Sequence, residues 1–296
     1  MERTDFSIVK KAFPPRPDDS NKGSFGSLLS VCGCYGMAGA AIMAGRAALR
    51  CGLGLLKCAL PKSIYPIAAA QLLESVFLPL DETHDGKLSA TELERLLNEA
   101  EKSTAVLIGC GLSVSEDTKK IVRGFVRECD KPMLLDADAL NCICDSPEIL
   151  TTAKAKIIIT PHPGEMGRLV EKTAAEVNLA RAETAADFAK KYGVVTVLKG
   201  SGTIIASPNG KSLLNTTGNS GMATGGSGDV LAGIAGALLA QGAEAFDAAA
   251  AAVYLHGKAG DIAAEKLGKI SMLPTDIINC IPAALKEIFY LHKQAY

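Results

Sequence analysis

Short apolar runs alternate with amphipathic stretches along most of this chain. Runs of strand length predict strands at 27–32, 55–60, 76–80, 105–109, 133–136, 156–160, 194–198, 203–206 and 211–214. Amphipathic stretches predict helices at 38–50, 89–102, 116–128, 173–192, 229–240, 246–265 and 275–292. Strands that alternate with helices indicate an α/β fold with a mostly parallel sheet and helices on both faces. Residues 203–214 are predicted to add a late antiparallel hairpin at one edge.

The pattern contains no linker, repeat or low-complexity segment, so residues 1–296 are predicted to form a single domain. Residues 1–22 are predicted to be a short polar arm, because the PPRP sequence at 14–17 cannot continue a helix. In sheets of this kind ligands bind beyond the carboxyl ends of the strands. The loops that follow strands are therefore the places to look for chemistry.

Composition narrows the class of protein. A hydrophobic content of 48% in 296 residues supports a substantial core, and a net charge of −1 without a Lys/Arg-rich block argues against a nucleic-acid partner. The nine cysteines lie scattered in apolar runs without a Cys-x-x-Cys pair, which predicts free thiols in a reducing cytosol and no zinc site. The absence of an apolar signal core or a run of membrane-spanning length predicts a cytoplasmic protein with no membrane partner.

The richest stretch is NTTGNSGMATGGSGDVLAGIAG at residues 215–236, which contains seven glycines. Its GGSGD segment, 225–229, is predicted to be a loop that opens a helix near Asp229. Free amides and the positive end of the helix dipole would suit a phosphoryl oxygen there. Asp229 could take a proton from a hydroxyl during phosphorylation, or it could merely cap the helix.

Two other groups of loops carry small or acidic residues. KGSFG at 22–26 and the Gly-rich run at 33–41 permit close backbone approach to a ligand, or simply tight packing of strand on helix. Gly109-Cys110-Gly111 follows a strand and is a weak loop signal by itself. Asp136 and Asp138 follow the next strand, where they could bind Mg²⁺ through water or cap a helix.

Two further loops carry a histidine and a lysine. Two prolines flank His162 and hold it at a strand end, although a lone histidine is more often structural. Lys199 ends a strand, so its ammonium is predicted to project where phosphates would lie, unless the segment is an ordinary loop before the hairpin. The GKS at 210–212 lacks the first glycine of a P-loop because residue 205 is Ile, and no G-x-G-x-x-G is present.

Taken in order, these strings resemble the NAD(P)H-hydrate dehydratases, repair enzymes of the ribokinase-like superfamily. The resemblance extends from about residue 22 to residue 265 and rests on KGSFG, on the AxRxGxG string at 48–54, on DADAL at 136–140, on TPHPGE at 160–165 and on the 215–229 motif. Ser227 replaces the usual Thr and keeps the hydroxyl. Cys110 and Ser113 depart from the family's G-P-G-L-G, which reduces the weight on Gly111.

The resemblance implies a ribokinase-like three-layer α/β/α sandwich and a hydro-lyase. The implied reaction is ADP-dependent dehydration of the S form of hydrated NADH or NADPH (NADHX or NADPHX) to the intact cofactor, through phosphorylation of the ring hydroxyl and elimination. Asp229 is the implied general base, and the implied substrate contacts are Ala40, Gly111, His162 and Asp229. The implied nucleotide contacts are Lys199, Gly200, Ser201, Gly202, Thr203 and Gly228, and the implied anion hole is formed by Gly226, Ser227 and Gly228.

The same resemblance implies Mg²⁺ as the cofactor and a homotetramer. In the resembled family the bacterial enzymes use ADP and the eukaryotic ones ATP. Because no targeting segment precedes the motifs, we expect ADP as the phosphoryl donor. Since about 22 residues precede the first motif, we expect any NAD(P)H-hydrate epimerase to be a separate chain. Two alternatives stay open at this point: a ribokinase-like kinase such as a hydroxyethylthiazole kinase, and a nucleotide-binding regulator without catalysis.

Overall fold

The computed structural model describes residues 1–290. Within them ten strands form one sheet in the order β1-β10-β9-β8-β7-β6-β5-β2-β3-β4. The strands are β1 Glu2–Arg3, β2 Ser27–Val31, β3 Leu55–Pro61, β4 Val76–Leu80, β5 Ala105–Ile108, β6 Met133–Leu135, β7 Ile157–Ile159, β8 Val195–Leu198, β9 Thr203–Ala206 and β10 Ser212–Asn215.

The helices lie between and after these strands, as alternation of the pattern predicts. They are α1 Phe6–Ala12, α2 Ala38–Arg50, α3 Tyr65–Ala69, α4 Leu93–Glu101, α5 Glu116–Glu128, α6 Asp138–Asn141, α7 Pro163–Val170, α8 Ala174–Leu179, α9 Arg181–Tyr192, α10 Ser227–Ala240, α11 Ala245–Leu267 and α12 Pro274–Tyr290. Between residues 1 and 290, no helix combines the length and the apolar character that a bilayer crossing needs.

Successive residues of each strand bury their side chains on opposite faces of the sheet. In β2, Leu28 belongs to a core formed with α2, α10, α11 and α12, whereas Leu29 belongs to a second core formed with α4, α5 and α9. Strands buried on both faces read as continuous apolar runs, which is why they were visible in the sequence. The predicted three-layer α/β/α architecture is confirmed.

The sheet is parallel from β4 to β8, and the predicted antiparallel hairpin is confirmed: β9 is antiparallel to both β8 and β10. After β2 the chain adds β3 and β4 on one side and then returns to add β5 on the other side. The loops that follow β2 and β5 therefore lie at a topological switch point, where α/β sheets form ligand crevices.

The prediction of a polar arm at residues 1–22 is wrong. Arg3 pairs in parallel with Leu214 of β10, so β1 rather than the hairpin forms the sheet edge. Asp5 caps α1 by accepting a hydrogen bond from the Ser7 amide, and Val9 of that helix is fully buried. The sequence gives only a weak signal for this short helix, because the helix has two buried positions, Val9 and Ala12, and ends just before the prolines.

The single helix predicted at 173–192 is also wrong. The helix is interrupted at Ala180, whose φ of −131° and ψ of 40° are not helical, and α9 begins at Arg181. Capping by Thr173 at the start and the Gly193 stop were correctly predicted. The break follows from tertiary contacts, because it lets Arg181 reach the loop after β8.

Candidate active site

The loop after β8, the segment after β10 and the start of α10 surround a cavity of about 780 Å³. This volume is within the range of small-molecule sites. Of the residues that the sequence nominates, the cavity is lined by His162, residues 199–203 and residues 226–228. The structure therefore brings three of the predicted loops together at the carboxyl side of the sheet.

The first residues of helix α10 line this cavity. Its N-cap is Gly226, with a φ of +101° that favours glycine, and no side chain caps the helix there. A Cβ at this position would also lie 2.5 Å from Cε of Met43. The first turn therefore presents main-chain amides without side-chain competition, although the Ser227 amide donates to the Thr224 carbonyl at 3.3 Å.

Asp229 lies in the first turn of α10 and is half-buried. Because Gly226 is the N-cap, Asp229 is not, and the capping alternative is wrong. Burial, followed by the negative charge of Asp136, raises the pKa of Asp229 to about 6; a hydrogen bond with Cys110 and the charge of Lys199 oppose the shift. A carboxylate with this pKa is mostly ionised at neutral pH and is a better proton acceptor than an ordinary aspartate.

Asp136 and Lys199 form a buried ion pair beside Asp229. The Lys199 ammonium donates to Oδ1 of Asp136 at 2.7 Å, and the Thr160 hydroxyl donates to the same oxygen at 2.6 Å. Glu165 approaches the ammonium at 3.8 Å. Burial lowers the pKa of Lys199, but the carboxylates of Asp136 and Glu165 outweigh this effect, so the pKa lies above the ordinary value. The carboxylates of Asp136 and Glu165 thus fix the position of the Lys199 ammonium. The ammonium also lies close to Gly228, because a Cβ built on that glycine would be 3.5 Å from Nζ.

The carboxylates after β6 do not cap α6, which was one of their two expected roles. Ala137 is the N-cap, and no side chain caps that helix. Asp138 instead accepts a hydrogen bond from the Ser113 amide at 2.7 Å and thereby fixes the loop after β5.

The potential metal ligands near these carboxylates include a thiol as well as oxygen atoms. Among residues 1–290, one group of potential ligands comes together: Cys110, Asp136 and Asp229, whose ligand atoms lie within 4.8 Å of one another. A hydrogen bond with Cys32 and burial raise the pKa of the Cys110 thiol, so it stays neutral. Mg²⁺ prefers oxygen ligands and keeps several waters. This group does not fit Mg²⁺ as a direct site.

Ala40 and Gly111 lie side by side at the switch point. A Cβ on Gly111, whose φ is +62°, would lie 2.7 Å from the Ala40 Cβ, so only glycine fits. Neither residue lines the cavity described above. Cys110, the neighbour of Gly111, approaches Asp229, and the charge of Lys199 in the predicted nucleotide loop 199–203 also acts on Asp229.

His162 caps α7, a role that the sequence did not suggest. Its Nδ1 accepts hydrogen bonds from the amides of Gly164 and Glu165 at 3.0 and 3.2 Å, while Glu165 accepts one from the His162 amide. Pro163 occupies the first helical position, where a missing amide hydrogen costs nothing. The side chain is 51% exposed and lines the cavity, so its remaining face is available to a ligand.

With this geometry in place, comparison with known proteins gives a consistent answer. The family pattern described as NAD(P)H-hydrate dehydratase matches residues 28–283. The chain belongs to the NAD(P)H-hydrate dehydratase family. The resemblance drawn from the motifs is therefore confirmed.

Individual relatives of this dehydratase-family chain agree. It is 38% identical to the ADP-dependent (S)-NAD(P)H-hydrate dehydratase of Neisseria meningitidis, with 86% of this chain and 83% of that protein covered. A crystal structure of the ADP/ATP-dependent NAD(P)H-hydrate dehydratase from Bacillus subtilis, co-crystallised with ATP/Mg²⁺, matches with a TM-score of 0.82 at 30% identity, covering 97% and 98% of the two chains. The ribokinase-like fold is thus confirmed.

Two further comparisons concern longer relatives and a more distant protein with a similar fold. The chain spans about half the length, 52 to 55%, of several curated bifunctional NAD(P)H-hydrate repair enzymes that it matches. A hydroxyethylthiazole kinase from Pyrococcus horikoshii is 15% identical with a TM-score of 0.61, which shows a shared fold alone.

The dehydratase-family motifs did not reveal every residue that builds the site. Arg181 donates to the carbonyls of Leu198, Lys199 and Gly202 at 3.0 to 3.3 Å and so holds the loop after β8. A Cβ on Gly200 would lie 2.3 Å from this guanidinium. No local pattern distinguishes Arg181 from other helical arginines, because its partners come from a different element.

The asparagines of the 215–219 motif turn out to be anchors of the loop. Asn215 accepts a hydrogen bond from the Thr4 hydroxyl at 2.7 Å, and Asn219 donates to the Gly260 carbonyl and to Asp261. These contacts join the cavity wall to Thr4, which follows β1, and to α11. Another residue of α11, His256, also lines the cavity and was not nominated by the sequence.

Proposed function

We propose that this protein dehydrates the S form of NADHX or NADPHX with ADP as the phosphoryl donor, giving NADH or NADPH, AMP and phosphate. It would thus be a hydro-lyase of nicotinamide nucleotide repair. Membership in the dehydratase family supports the reaction class, and the printed name of the Neisseria relative supports ADP as donor. The observation that carries the mechanism is the placement of Asp229, with its raised pKa, at the end of the glycine loop.

In this proposal Asp229 takes the proton of the ring hydroxyl as the hydroxyl oxygen bonds to the β-phosphorus of ADP. The bond from that phosphorus to the bridging oxygen breaks, and AMP leaves. Elimination then releases phosphate and a ring proton while the C=C bond of the reduced nicotinamide forms. The products balance the hydrated substrate plus ADP.

The anion hole, formed by residues 226–228, supplies preorganised dipoles to the transferring phosphoryl group. Lys199 lies close to Gly228 and adds positive charge there, and the loop 199–203 receives the remaining phosphate. Ala40, Gly111 and His162 would contact the dinucleotide. This division places the nucleotide in the cavity and the damaged ring on the other side of Asp229.

In this proposal Mg²⁺ binds together with the phosphates of the nucleotide. The side chains around Asp229 do not form an all-oxygen site, so the ion would take most of its ligands from phosphate oxygens and water. When bound, such an ion neutralises phosphate charge. All the proton handling proposed above belongs to Asp229.

A direct assay tests the proposal. Purified protein is mixed with (S)-NADHX, ADP and Mg²⁺, and the recovery of the reduced-nicotinamide absorbance is followed. We expect recovery that depends on ADP, together with thermal stabilisation by ADP of about 2.7 kcal/mol at 100 times its dissociation constant. Absence of both turnover and stabilisation, with ATP as well as ADP, would contradict the proposal.

The remaining expectations also stay proposals. We propose that residues 1–296 form a single dehydratase domain that assembles as a homotetramer in the cytoplasm. We further propose a functional link to a separate NAD(P)H-hydrate epimerase, with NADHX, NADPHX and ADP as the small-molecule partners. Size-exclusion chromatography with light scattering measures the number of subunits directly.

A further inference from the structure

His256 of α11 faces the first turn of α10 across the cavity wall. Its Nε2 lies 3.3 Å from the Ser227 Oγ, and both residues line the cavity. The chemistry proposed above assigns the histidine no task. Burial, and then the charge of Lys199, lower the pKa of His256 to about 4, so the imidazole is neutral at physiological pH.

A neutral imidazole carries its hydrogen on one of its two nitrogens. The contact between Nε2 and the Ser227 hydroxyl can run in either direction, because Nε2 is a donor in one neutral tautomer and an acceptor in the other. In the Nε2–H tautomer the ring donates to the hydroxyl oxygen, and the hydroxyl hydrogen stays free for another acceptor. In the Nδ1–H tautomer the hydroxyl instead donates to Nε2 and is not available to a ligand.

We propose that His256 is a positioning residue that donates its Nε2–H to the Ser227 hydroxyl oxygen and so leaves the hydroxyl hydrogen free to point into the cavity. The hydroxyl then donates to the transferring phosphoryl group beside the amides of the anion hole. This inference rests on the proposed function, because it gives Ser227 a second donor in that reaction. It also explains why a hydroxyl residue is useful at position 227, where α10 needs no side-chain cap.

A double-mutant cycle tests the inference. Ser227→Ala is expected to lower kcat by about 10- to 10³-fold, the range for loss of one anion-hole donor, while KM for ADP changes only a few-fold. His256→Leu is expected to give a similar loss, and the double variant no further loss, because the two residues act through one hydrogen bond. His256→Gln, which keeps a donor, should restore most of the rate. The exposed His84→Gln is the matched control.

A second measurement needs no turnover. Nitrogen NMR of ¹⁵N-histidine-labelled protein reports which ring nitrogen of His256 is protonated, with His256→Gln used for assignment. We expect Nε2–H at pH 7. Additive losses in the cycle, or an Nδ1–H ring, would overturn the inference. Failure of the proposed function differs from both outcomes, because it would appear as a wild-type protein without turnover.

Discussion

Lys199 and Asp136 meet with 2.7 Å between the ammonium nitrogen and Oδ1, and their side chains are only 18% and 2% exposed. The pair joins two strand ends, since Asp136 follows β6 and Lys199 follows β8. A buried pair costs desolvation, so its presence is no argument for stability by itself. Its consequence is positional: it fixes a positive charge next to the start of α10.

We predict that Lys199→Met destabilises the protein by about 3–5 kcal/mol, because it leaves the Asp136 carboxylate buried without its counter-ion. Chemical denaturation measures the loss. Lys62→Met is the control, since Lys62 pairs with Asp81 at the surface with both side chains more than 60% exposed, and little change is expected. Equal effects of the two substitutions would contradict a special role for the buried pair.

Asp229→Asn should lower turnover by about 10²–10⁴-fold because Asn cannot accept the hydroxyl proton. The same change should raise stability at neutral pH. The folded-state pKa of about 6 lies above the ordinary 3.8, so the native protein binds the extra proton between these values and ionisation costs stability above pH 6. The gain at pH 7.5 should be on the order of 1–3 kcal/mol and should disappear below pH 4.

The pH profile gives an independent check on Asp229. If it is the general base, kcat/KM should fall on the acidic side with an apparent pKa near 6, and the fall should be absent from the residual activity of Asp229→Asn. An acidic limb near pH 4 in the wild type would show that the carboxylate is not the group that limits the rate.

The two roles of His162 can be separated with two substitutions. His162→Ala removes the α7 cap and should cost about 0.5–2 kcal/mol, whereas His162→Asn keeps a capping side chain and should cost less. If the ring also contacts the dinucleotide, both variants should raise KM for NADHX while ADP binding persists. Substrate kinetics that recover fully in His162→Asn would show that capping is its whole contribution.

Arg181→Lys should weaken ADP binding, although the charge is kept. One ammonium cannot match the guanidinium that reaches three carbonyls of the loop 198–202. Calorimetry is expected to show at least a several-fold rise in the dissociation constant of ADP. Arg127→Lys on the exposed side of α5 serves as control and should leave ADP binding unchanged.

Gly233→Ala probes the contact between α10 and α2. A Cβ at 233 would lie 2.1 Å from the Ala44 carbonyl oxygen, so the two helices must separate, and we predict a loss of about 1–3 kcal/mol. Gly39→Ala in α2, where a Cβ meets nothing within 4 Å, should be neutral or slightly stabilising. Melting temperatures of the two variants give the comparison.

The limits of sequence-based prediction follow from where each signal resides. Helices α2 and α5 were predicted with their observed bounds, because apolar spacing and turn residues lie within the segment itself. The break at Ala180 depends on contacts from other elements, and so do the partners of Arg181 and His256. The grouping of Asp229 with Asp136 and Cys110 likewise needed the fold, although the resemblance had already nominated Asp229.

The pairing of β1 with β10 affects the order in which the protein can be completed. Thr4 is synthesised before its partner Asn215, which is 211 residues further along the chain. Until β10 has been synthesised, β1 has no strand to pair with. The loop that begins at Asn215 gains its second anchor only when Gly260 and Asp261 of α11 follow. The last edge of the sheet closes by the joining of distant segments, a slow kind of contact. Nascent chains that end before Asn215 should therefore leave β1 exposed to proteases, and β1 should gain protection once β10 is present.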